Sequence, residues 1–210
     1  MEGAIVLLCD IGNTSYHFLE GEHEYKKDAE SFEPESIKER VYFISVNTEV
    51  SQKLSKLENW VDLSAFVSKE PYYETMGIDR IFALEGLSNA VLVDAGSAIT
   101  VDVVRDGVFE GGFIYPGIKA MEQTYVKISP ALAYSFNFEL NLDKMAKNSQ
   151  DAISYGFLKL LYSEVNSHNL PIILTGGDAK TLHKILKNAE IDNTLIFRAM
   201  KKIIKEAKLC

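Results

Sequence analysis

An acidic–glycine turn occurs twice in this chain, each time directly after a continuous apolar run. The first copy spans Asp10–Thr14 (Asp-Ile-Gly-Asn-Thr), and the second spans Asp94–Thr100 (Asp-Ala-Gly-Ser-Ala-Ile-Thr). The apolar runs predict buried strands, and a buried carboxylate without a partner is costly. An Asp at a strand end can bind a hydrated metal ion, while a glycine-rich hairpin exposes backbone N–H groups to anionic oxygens. Two such turns facing each other would form a cleft for a nucleoside triphosphate and its metal.

Each turn also has an ordinary interpretation. Glycine, asparagine and serine are common in hairpins that have no special function. The first turn taken alone fits that interpretation well, and it is the second copy that favours a binding function.

The composition is that of a globular protein with an acidic net charge. Of the 210 residues, 47% are hydrophobic and 25% are charged, which is enough apolar material for a core. The length fits one large domain or two lobes of about 100 residues each. The formal net charge of −8 argues against non-specific nucleic-acid binding and against an anionic membrane surface. The net charge does not exclude binding of an anionic nucleotide, because that binding depends on local hydrogen-bond donors and a metal ion.

Cysteine usage and apolar patterning predict a reduced, cytoplasmic protein. The two cysteines, Cys9 and Cys210, are too few for a disulfide framework, and no Cys/His cluster has zinc-site spacing. The chain begins Met-Glu-Gly without a basic leader region, and its apolar runs are too short to span a bilayer.

The order of predicted elements repeats once along the chain. Each half begins with three strands and continues with alternating helices and strands. The first half has strands 4–10, 14–20, 22–27 and 41–46, with helices 33–40, 49–57 and 79–87. The second has strands 90–94, 97–104, 108–115 and 171–175, a short strand near 195, an aperiodic loop at 130–145, and helices 117–128, 150–168, 178–188 and 198–208. This pattern predicts an α/β protein with two lobes, residues 1–88 and 89–210, the last helix packing back on the first lobe.

A further motif, Gly77-Ile78-Asp79-Arg80, precedes a predicted helix. Its ordinary interpretation is a helix cap, with Arg80 paired to Asp79. In a functional interpretation, Asp79 accepts a hydroxyl proton, and Arg80 binds a substrate carboxylate through two parallel hydrogen bonds. The tyrosines Tyr72 and Tyr73 line a pocket or only anchor the loop before this motif, and the sequence does not decide between these roles.

Two glycine pairs lie where a strand meets a helix, in Gly111–Gly117 (Gly-Gly-Phe-Ile-Tyr-Pro-Gly) and in Thr175–Ala179 (Thr-Gly-Gly-Asp-Ala). The pair in Gly111–Gly117 fits tight packing and a helix N-terminus directed at phosphate groups equally well. Thr175–Ala179 suits a nucleotide-binding turn, but taken alone it fits an ordinary strand–helix loop with an Asp cap better.

Taken together and in this order, the five motifs resemble those of the type III pantothenate kinases. The resemblance covers nearly the whole chain and implies the fold of the acetate/sugar kinase, heat-shock 70 and actin superfamily. In that fold, two ribonuclease-H-like lobes surround a nucleotide cleft. The implied reaction is ATP-dependent phosphorylation of pantothenate to 4′-phosphopantothenate, the first step of coenzyme A biosynthesis. The family forms homodimers.

The resemblance also implies roles for individual residues. Asp79 matches the proton acceptor, and Asp94 matches the ligand of a monovalent cation, K⁺ or NH₄⁺. Mg²⁺ is expected near Asp10. The substrate-binding residues implied are Tyr72 or Tyr73, Gly77, Ile78, Asp79, Arg80 and Ser149. The ATP-binding residues implied are Asp10, Ile11, Gly12, Asn13, Thr14, Ser15, Tyr16, His17 and Ser97.

The chain departs from the family pattern in two ways. Ser97 and Ser149 stand where the family has threonine, a change that keeps the hydroxyl group. The chain is also shorter than typical members before Gly77 and near 130–148. Two alternatives stay open: a non-catalytic regulatory protein on the same scaffold, or a kinase or phosphatase for another small hydroxyl substrate. The intact Asp79-Arg80 pair argues against a non-catalytic protein, and the acidic net charge argues against direct DNA binding.

Overall fold

Ten strands form two mixed five-stranded sheets in the computed structural model, which describes residues 6–209. The strands are β1 Leu7–Ile11, β2 Ser15–Glu20, β3 His23–Asp28, β4 Val41–Ser45, β5 Trp60–Asp62, β6 Ala90–Ala95, β7 Ala98–Arg105, β8 Val108–Pro116, β9 Ile172–Thr175 and β10 Glu190–Ile191. The helices are α1 Thr48–Leu54, α2 Ile78–Leu84, α3 Ile118–Ile128, α4 Ser149–Ser167, α5 Ala179–Leu182 and α6 Leu195–Glu206.

The two sheets have the same topology. The strand order is β3-β2-β1-β4-β5 in the first sheet and β8-β7-β6-β9-β10 in the second. In each sheet three antiparallel strands form a meander, a later strand pairs in parallel with its first strand, and a last strand pairs in parallel with that one. The predicted α/β class and the duplicated order of elements are therefore confirmed.

The chain divides into two compact units. The first unit consists of two segments, one that ends at Glu85 and one that begins at Thr194, and the second unit runs from Gly86 to Asn193. The last helix therefore belongs to the first unit. The predicted domain limits at residues 88 and 89 stay a prediction.

The first unit encloses its own aromatic core. Tyr16, Phe18, Phe43 and Trp60 are buried on one side of the first sheet, and the ring of Phe18 stands edge-on to Trp60 with centroids 6.3 Å apart. Alternation of apolar residues along β2 places Tyr16 and Phe18 on this face, because side chains in a strand point to opposite faces in turn.

Helix α6 covers α2 and β1 within this unit. Every residue of α2 except Asp79 is buried, as its apolar sequence Ile-Asp-Arg-Ile-Phe-Ala-Leu suggests. Lys202 Nζ lies 2.5 Å from Glu85 Oε1 at the end of α2, and the Tyr42 hydroxyl donates to the carbonyl of Leu209 at 2.6 Å. These contacts fix the helix that begins with the Gly77–Arg80 motif.

The second unit buries its core between its sheet and α4. Phe157, Leu158, Leu161 and Val165 of α4 are buried against strands β6, β7 and β9. Their helical spacing matches the apolar face predicted from the sequence.

Some local predictions were wrong, each for a physical reason. The predicted helix 33–40 is only a 3₁₀ turn, Pro34–Ser36, after which the Asn59 side chain binds the carbonyls of Ile37 and Glu39. The strand predicted near Leu195 is the start of α6, since a short apolar run does not distinguish a strand from a buried helix. The three-residue strand β5 and the two-residue β10 were too short to leave a periodic pattern, and α5 ends at Leu182 rather than continuing to 188.

Candidate functional site

The first acidic–glycine turn is the hairpin that joins β1 to β2. Asp10 pairs with His17 across the hairpin and lies beside Ile44 of the parallel strand β4. The Gly12 N–H donates to the carbonyl of Ser15 at 3.0 Å and closes the turn. Asn13 and Thr14 are exposed at its tip. The turn therefore offers its backbone to the exterior at the carboxyl end of a buried strand.

The Gly77–Arg80 motif lies at the same edge of the first sheet. The Val46 N–H, just past β4, donates to the carbonyl of Ile11 at 3.1 Å. A Cβ added to Gly77 would lie 3.8 Å from Val46 Cγ1. The carboxyl ends of parallel strands meet at one edge, so Val46 links the hairpin to the start of α2.

Asp79 is a half-buried carboxyl group at the start of α2. The Arg80 N–H donates to its Oδ1 at 2.8 Å. Burial raises the pKa of Asp79, and the Arg80 N–H and the Arg80 charge only partly oppose that rise. A carboxylate with a raised pKa is a stronger base than a solvated one, which suits proton transfer.

Arg80 is a buried guanidinium, only 5% exposed, and it is oriented by a tyrosine. Its Nη1 donates to the Tyr73 hydroxyl, and its Cζ lies 5.6 Å from the centroid of the Tyr73 ring. Tyr73 is 43% exposed, whereas Tyr72 is half-buried. Tyr73, one of the two tyrosines between which the sequence did not decide, therefore contacts the guanidinium of Arg80.

His17, predicted as part of the ATP-binding segment, is held within the first unit. Its Nε2 lies 3.0 Å from Glu24 Oε2, and its ring stands edge-on to Phe197 with centroids 4.8 Å apart. Burial and then the nearby Lys26 charge lower the pKa of His17, opposed by Glu24. These contacts orient the imidazole towards β3 and α6.

The second acidic–glycine turn joins β6 to β7, and two other motifs pack against it. Gly117, before α3, approaches so closely that a Cβ there would lie 2.7 Å from the Gly96 carbonyl oxygen. Gly176, with φ +89°, lies against Asp94 Oδ1 and the Ala95 carbonyl. The three glycine motifs of the second unit thus come together around the end of β6.

Two glycines at the tips of the hairpins are not required by the fold. A Cβ on Gly12 would lie no closer than 3.9 Å to the Ser15 carbonyl oxygen, and one on Gly96 no closer than 3.5 Å to that of Ala98. Neither has a φ in the left-handed region. Neither packing nor backbone conformation within the described residues therefore requires glycine at these two positions.

Ser97 and Ser149, the predicted contacts of the second unit, are both exposed. Ser97 lies at the tip of the β6–β7 hairpin, and Ser149 is the first residue of α4. The preceding residue, Asn148, caps α4 by accepting a hydrogen bond from the Asp151 N–H at 2.9 Å.

In the described part of the chain, no group of side chains could by itself enclose a metal ion. Among residues 6–209, no three His, Cys, Asp or Glu side chains lie close enough to share an ion. Within the same residues, no helix has the length and apolar character needed to cross a membrane.

Comparison with known proteins identifies the family. A family model described as type III pantothenate kinase matches residues 49–168. A type III pantothenate kinase of Sulfurimonas denitrificans is 58% identical over 205 residues, which cover 98% of this chain and 100% of the relative. The chain belongs to the type III pantothenate kinase family. The resemblance inferred from the five motifs is confirmed, and the chain is a member of a kinase family.

Solved structures agree with the fold of a type III pantothenate kinase. A Campylobacter jejuni protein described as a Baf family transcriptional activator matches with a TM-score of 0.89 and 36% identity, over 98% of this chain and 100% of that one. A Sinorhizobium meliloti protein described as a 2-dehydro-3-deoxygalactonokinase matches with a TM-score of 0.56 and 10% identity, over 96% of each chain. The second likeness shows the fold alone, that of sugar kinases, heat-shock 70 proteins and actin.

Sequence reasoning missed the residues that hold the type III pantothenate kinase motifs in place. Val46 has no motif of its own, because its role depends on the parallel pairing of β1 and β4. Asn148 and Asp151 were detectable as a capping pair three residues apart before an apolar helix.

We expect Gly117→Ala to lower the free energy of unfolding by about 1–3 kcal/mol, because the added methyl group would overlap the backbone of the β6–β7 hairpin. Gly96→Ala is the matched control and should change that free energy by less than about 0.5 kcal/mol. Urea denaturation followed by circular dichroism measures both. Equal losses in the two variants would contradict the packing role of Gly117.

Proposed function

We propose that this protein transfers the terminal phosphoryl group of ATP to the primary hydroxyl of pantothenate. The products are 4′-phosphopantothenate and ADP, in the first step of coenzyme A biosynthesis. The observation that carries the proposal is that Asp79, a half-buried carboxyl group with a raised pKa, directly precedes the buried guanidinium of Arg80 in a chain of this family.

In this proposal the two residues divide the work on pantothenate. Arg80 binds the pantothenate carboxylate, since a planar guanidinium matches a carboxylate with two parallel hydrogen bonds. Asp79 accepts the proton of the primary hydroxyl as the oxygen forms its bond to phosphorus and the ADP oxygen leaves. Tyr73 orients Arg80, and the Ser149 hydroxyl contacts the substrate. Gly77 and Ile78 complete the substrate-binding segment.

ATP phosphates bind the backbone of the Asp10–Thr14 hairpin in this proposal, and the Asp94–Thr100 hairpin of the second unit offers a turn of the same kind. The room beside Gly12 and Gly96 supports it, because a Cβ at either position is tolerated by the protein but would obstruct an approaching phosphate. The hydroxyl groups of Thr14 and Ser97 are exposed at the two hairpin tips. Phosphoryl transfer then depends mainly on positioning and on neutralisation of charge.

The donors present fit the cations that the family implies. Asp10 and Asp94 each offer a carboxylate near the end of a buried strand, and hard oxygen donors of this kind suit Mg²⁺ and K⁺. We assign Mg²⁺ to Asp10 and a monovalent cation, K⁺ or NH₄⁺, to Asp94. Mg²⁺ commonly uses one or two carboxylates together with substrate phosphates, so a larger protein cluster is not required. Bound cations would neutralise charge on the phosphates.

We further propose that the protein is a cytoplasmic homodimer. Support for the dimer comes from large apolar side chains exposed on the second unit, among them Ile114 (65%), Ile128 (67%) and Leu160 (65%). A contiguous patch of such side chains would mark a surface that contacts another protein.

One observation favours a second candidate function. The Campylobacter jejuni protein that is 36% identical is described as a Baf family transcriptional activator. A regulatory role without catalysis is therefore the alternative, although the Asp79–Arg80 pair and the net charge of −8 both argue against it.

The purified protein is expected to release ADP from Mg-ATP only when pantothenate is present, and faster in potassium than in sodium buffer. Coupled-enzyme measurement of ADP, with pantothenate omitted as the control, tests this. Folded protein that releases no ADP in either buffer would contradict the kinase proposal and favour the regulatory alternative.

Asp79→Asn is expected to lower kcat by about 10²–10⁴-fold, because it removes the proton acceptor. In the unsubstituted protein, activity should fall as the pH drops through the raised pKa of Asp79, above the usual carboxyl value of about 3.9, because only the deprotonated form accepts a proton. The pH profile of kcat/KM and the thermal midpoint Tm are the measurements. A variant with an unchanged Tm that keeps most of its activity would disprove the assignment.

Tyr73→Phe is expected to raise the KM for pantothenate by about threefold to tenfold, since it removes the hydrogen-bond partner of Arg80 Nη1. Tyr134→Phe, at an exposed tyrosine of the second unit, is the control and should leave that KM within about twofold. Steady-state kinetics with varied pantothenate measures both variants. An equal effect in the two variants would contradict the role of Tyr73.

A further inference from the structure

The carboxylate of Asp151 joins the first turn of α4 to the segment that precedes the helix. Its Oδ2 accepts a hydrogen bond from Asn148 Nδ2 at 2.7 Å, and its Oδ1 accepts one from Asn137 Nδ2 at 2.8 Å. Asn148 is the cap of α4, and Ser149 is the next residue. Asp151 therefore acts directly on the backbone that carries the Ser149 hydroxyl.

Both amide partners of Asp151 have a fixed orientation. Asn137 Oδ1 accepts from the Glu139 N–H at 2.9 Å, so the Asn137 amino group is directed at Asp151. Asn148 Oδ1 accepts from the Asp151 N–H at 2.9 Å, so its amino group faces Asp151 as well. The two amino groups therefore donate to different oxygens of Asp151, and a carboxylate has an acceptor at both of these oxygens.

The segment held by Asp151 is anchored a second time to the same helix. The Asn137 N–H donates to Ser154 Oγ at 2.8 Å, and Ser154 is fully buried. Gln150 Nε2 donates to the Ser135 carbonyl at 3.0 Å. Because the anchored segment is fixed independently of Asp151, it provides a rigid support against which Asp151 can hold the exposed start of α4.

We propose that Asp151 is a positioning residue for pantothenate, which places the Ser149 hydroxyl by fixing Asn148 and the start of α4 against Asn137. The inference rests on the proposed function, in which Ser149 contacts pantothenate. Asp151 touches neither substrate in this proposal, and its effect passes through Ser149. It should therefore act on pantothenate binding and leave ATP binding unchanged.

Asp151→Asn tests the proposal with a change of almost no volume. The new amide keeps one acceptor but directs an amino group at one of the two amide donors, so one hydrogen bond is lost. We expect the KM for pantothenate to rise by about threefold to tenfold, the effect of one such bond. The KM for ATP and kcat should stay within about twofold, and the lost hydrogen bond should lower the thermal midpoint Tm by only about 2–4 °C.

Glu164→Gln is the matched control on the same helix. Glu164 is an exposed carboxylate paired with His168 at 3.6 Å, and it lies about 20 Å from Asp151 along α4. Neutralising it should leave both KM values unchanged. If Glu164→Gln raised the pantothenate KM as much as Asp151→Asn does, the effect would be a general one of charge, and the proposal would be overturned.

A double-mutant cycle with Ser149→Ala separates positioning from a general structural role. If Asp151 acts through Ser149, adding Asp151→Asn to Ser149→Ala should cause no further rise in the pantothenate KM. The inference would be overturned if Asp151→Asn raised the pantothenate KM equally in the wild-type and Ser149→Ala proteins, or if it left that KM unchanged. In either case, pantothenate-dependent ADP release by the wild-type protein would still uphold the proposed function. A wild-type protein without pantothenate-dependent ADP release would instead refute the proposed function, and the inference with it.

Discussion

Parallel pairing of the first strand of each sheet with a strand much later in the chain determines where the motifs lie. Asp10 of β1 lies beside Ile44 of β4, and Asp94 of β6 lies beside Thr175 of β9. Parallel strands end at the same edge of a sheet, so hydrogen bonds of the backbone ladder bring together segments that are far apart in sequence. In the first unit this places Val46 between the β1–β2 hairpin and Gly77. Without this pairing, the Asp10–Thr14 hairpin and the Gly77–Arg80 motif would be separate turns.

Glycine has two different roles in these motifs, and the structure separates them. Gly117 and Gly176 are required by packing, because a Cβ at either position would overlap the backbone near the end of β6. Gly12 and Gly96 have room for a Cβ and no left-handed φ, so neither packing nor backbone conformation requires glycine there. Gly117 and Gly176 thus allow close packing near the end of β6. In our proposal, Gly12 and Gly96 leave the backbone open to phosphate groups.

The sequence predicts the long helices and strands correctly, but it does not predict contacts that depend on tertiary pairing. The meander of β1, β2 and β3 and the amphipathic face of α4 follow from apolar runs and periodicity that extend over many residues. The start of α6 was predicted wrongly, because Leu195 and its apolar neighbours fit a strand as well as a helix. The Tyr73–Arg80 contact and the Asn137–Asp151 bond could not be predicted, since each depends on a loop whose path has no periodic signal.

Two aspartates with opposite pKa shifts illustrate how the environment assigns roles to one side-chain type. Burial raises the pKa of Asp79, and one N–H donor with one neighbouring charge does not cancel the effect. Hydrogen bonds from Asn137 and then Asn148 lower the pKa of Asp151, which keeps it charged. A group that must take up a proton benefits from the first environment, and a group that must only accept hydrogen bonds benefits from the second. The opposite shifts therefore support separate roles, proton transfer for Asp79 and positioning for Asp151.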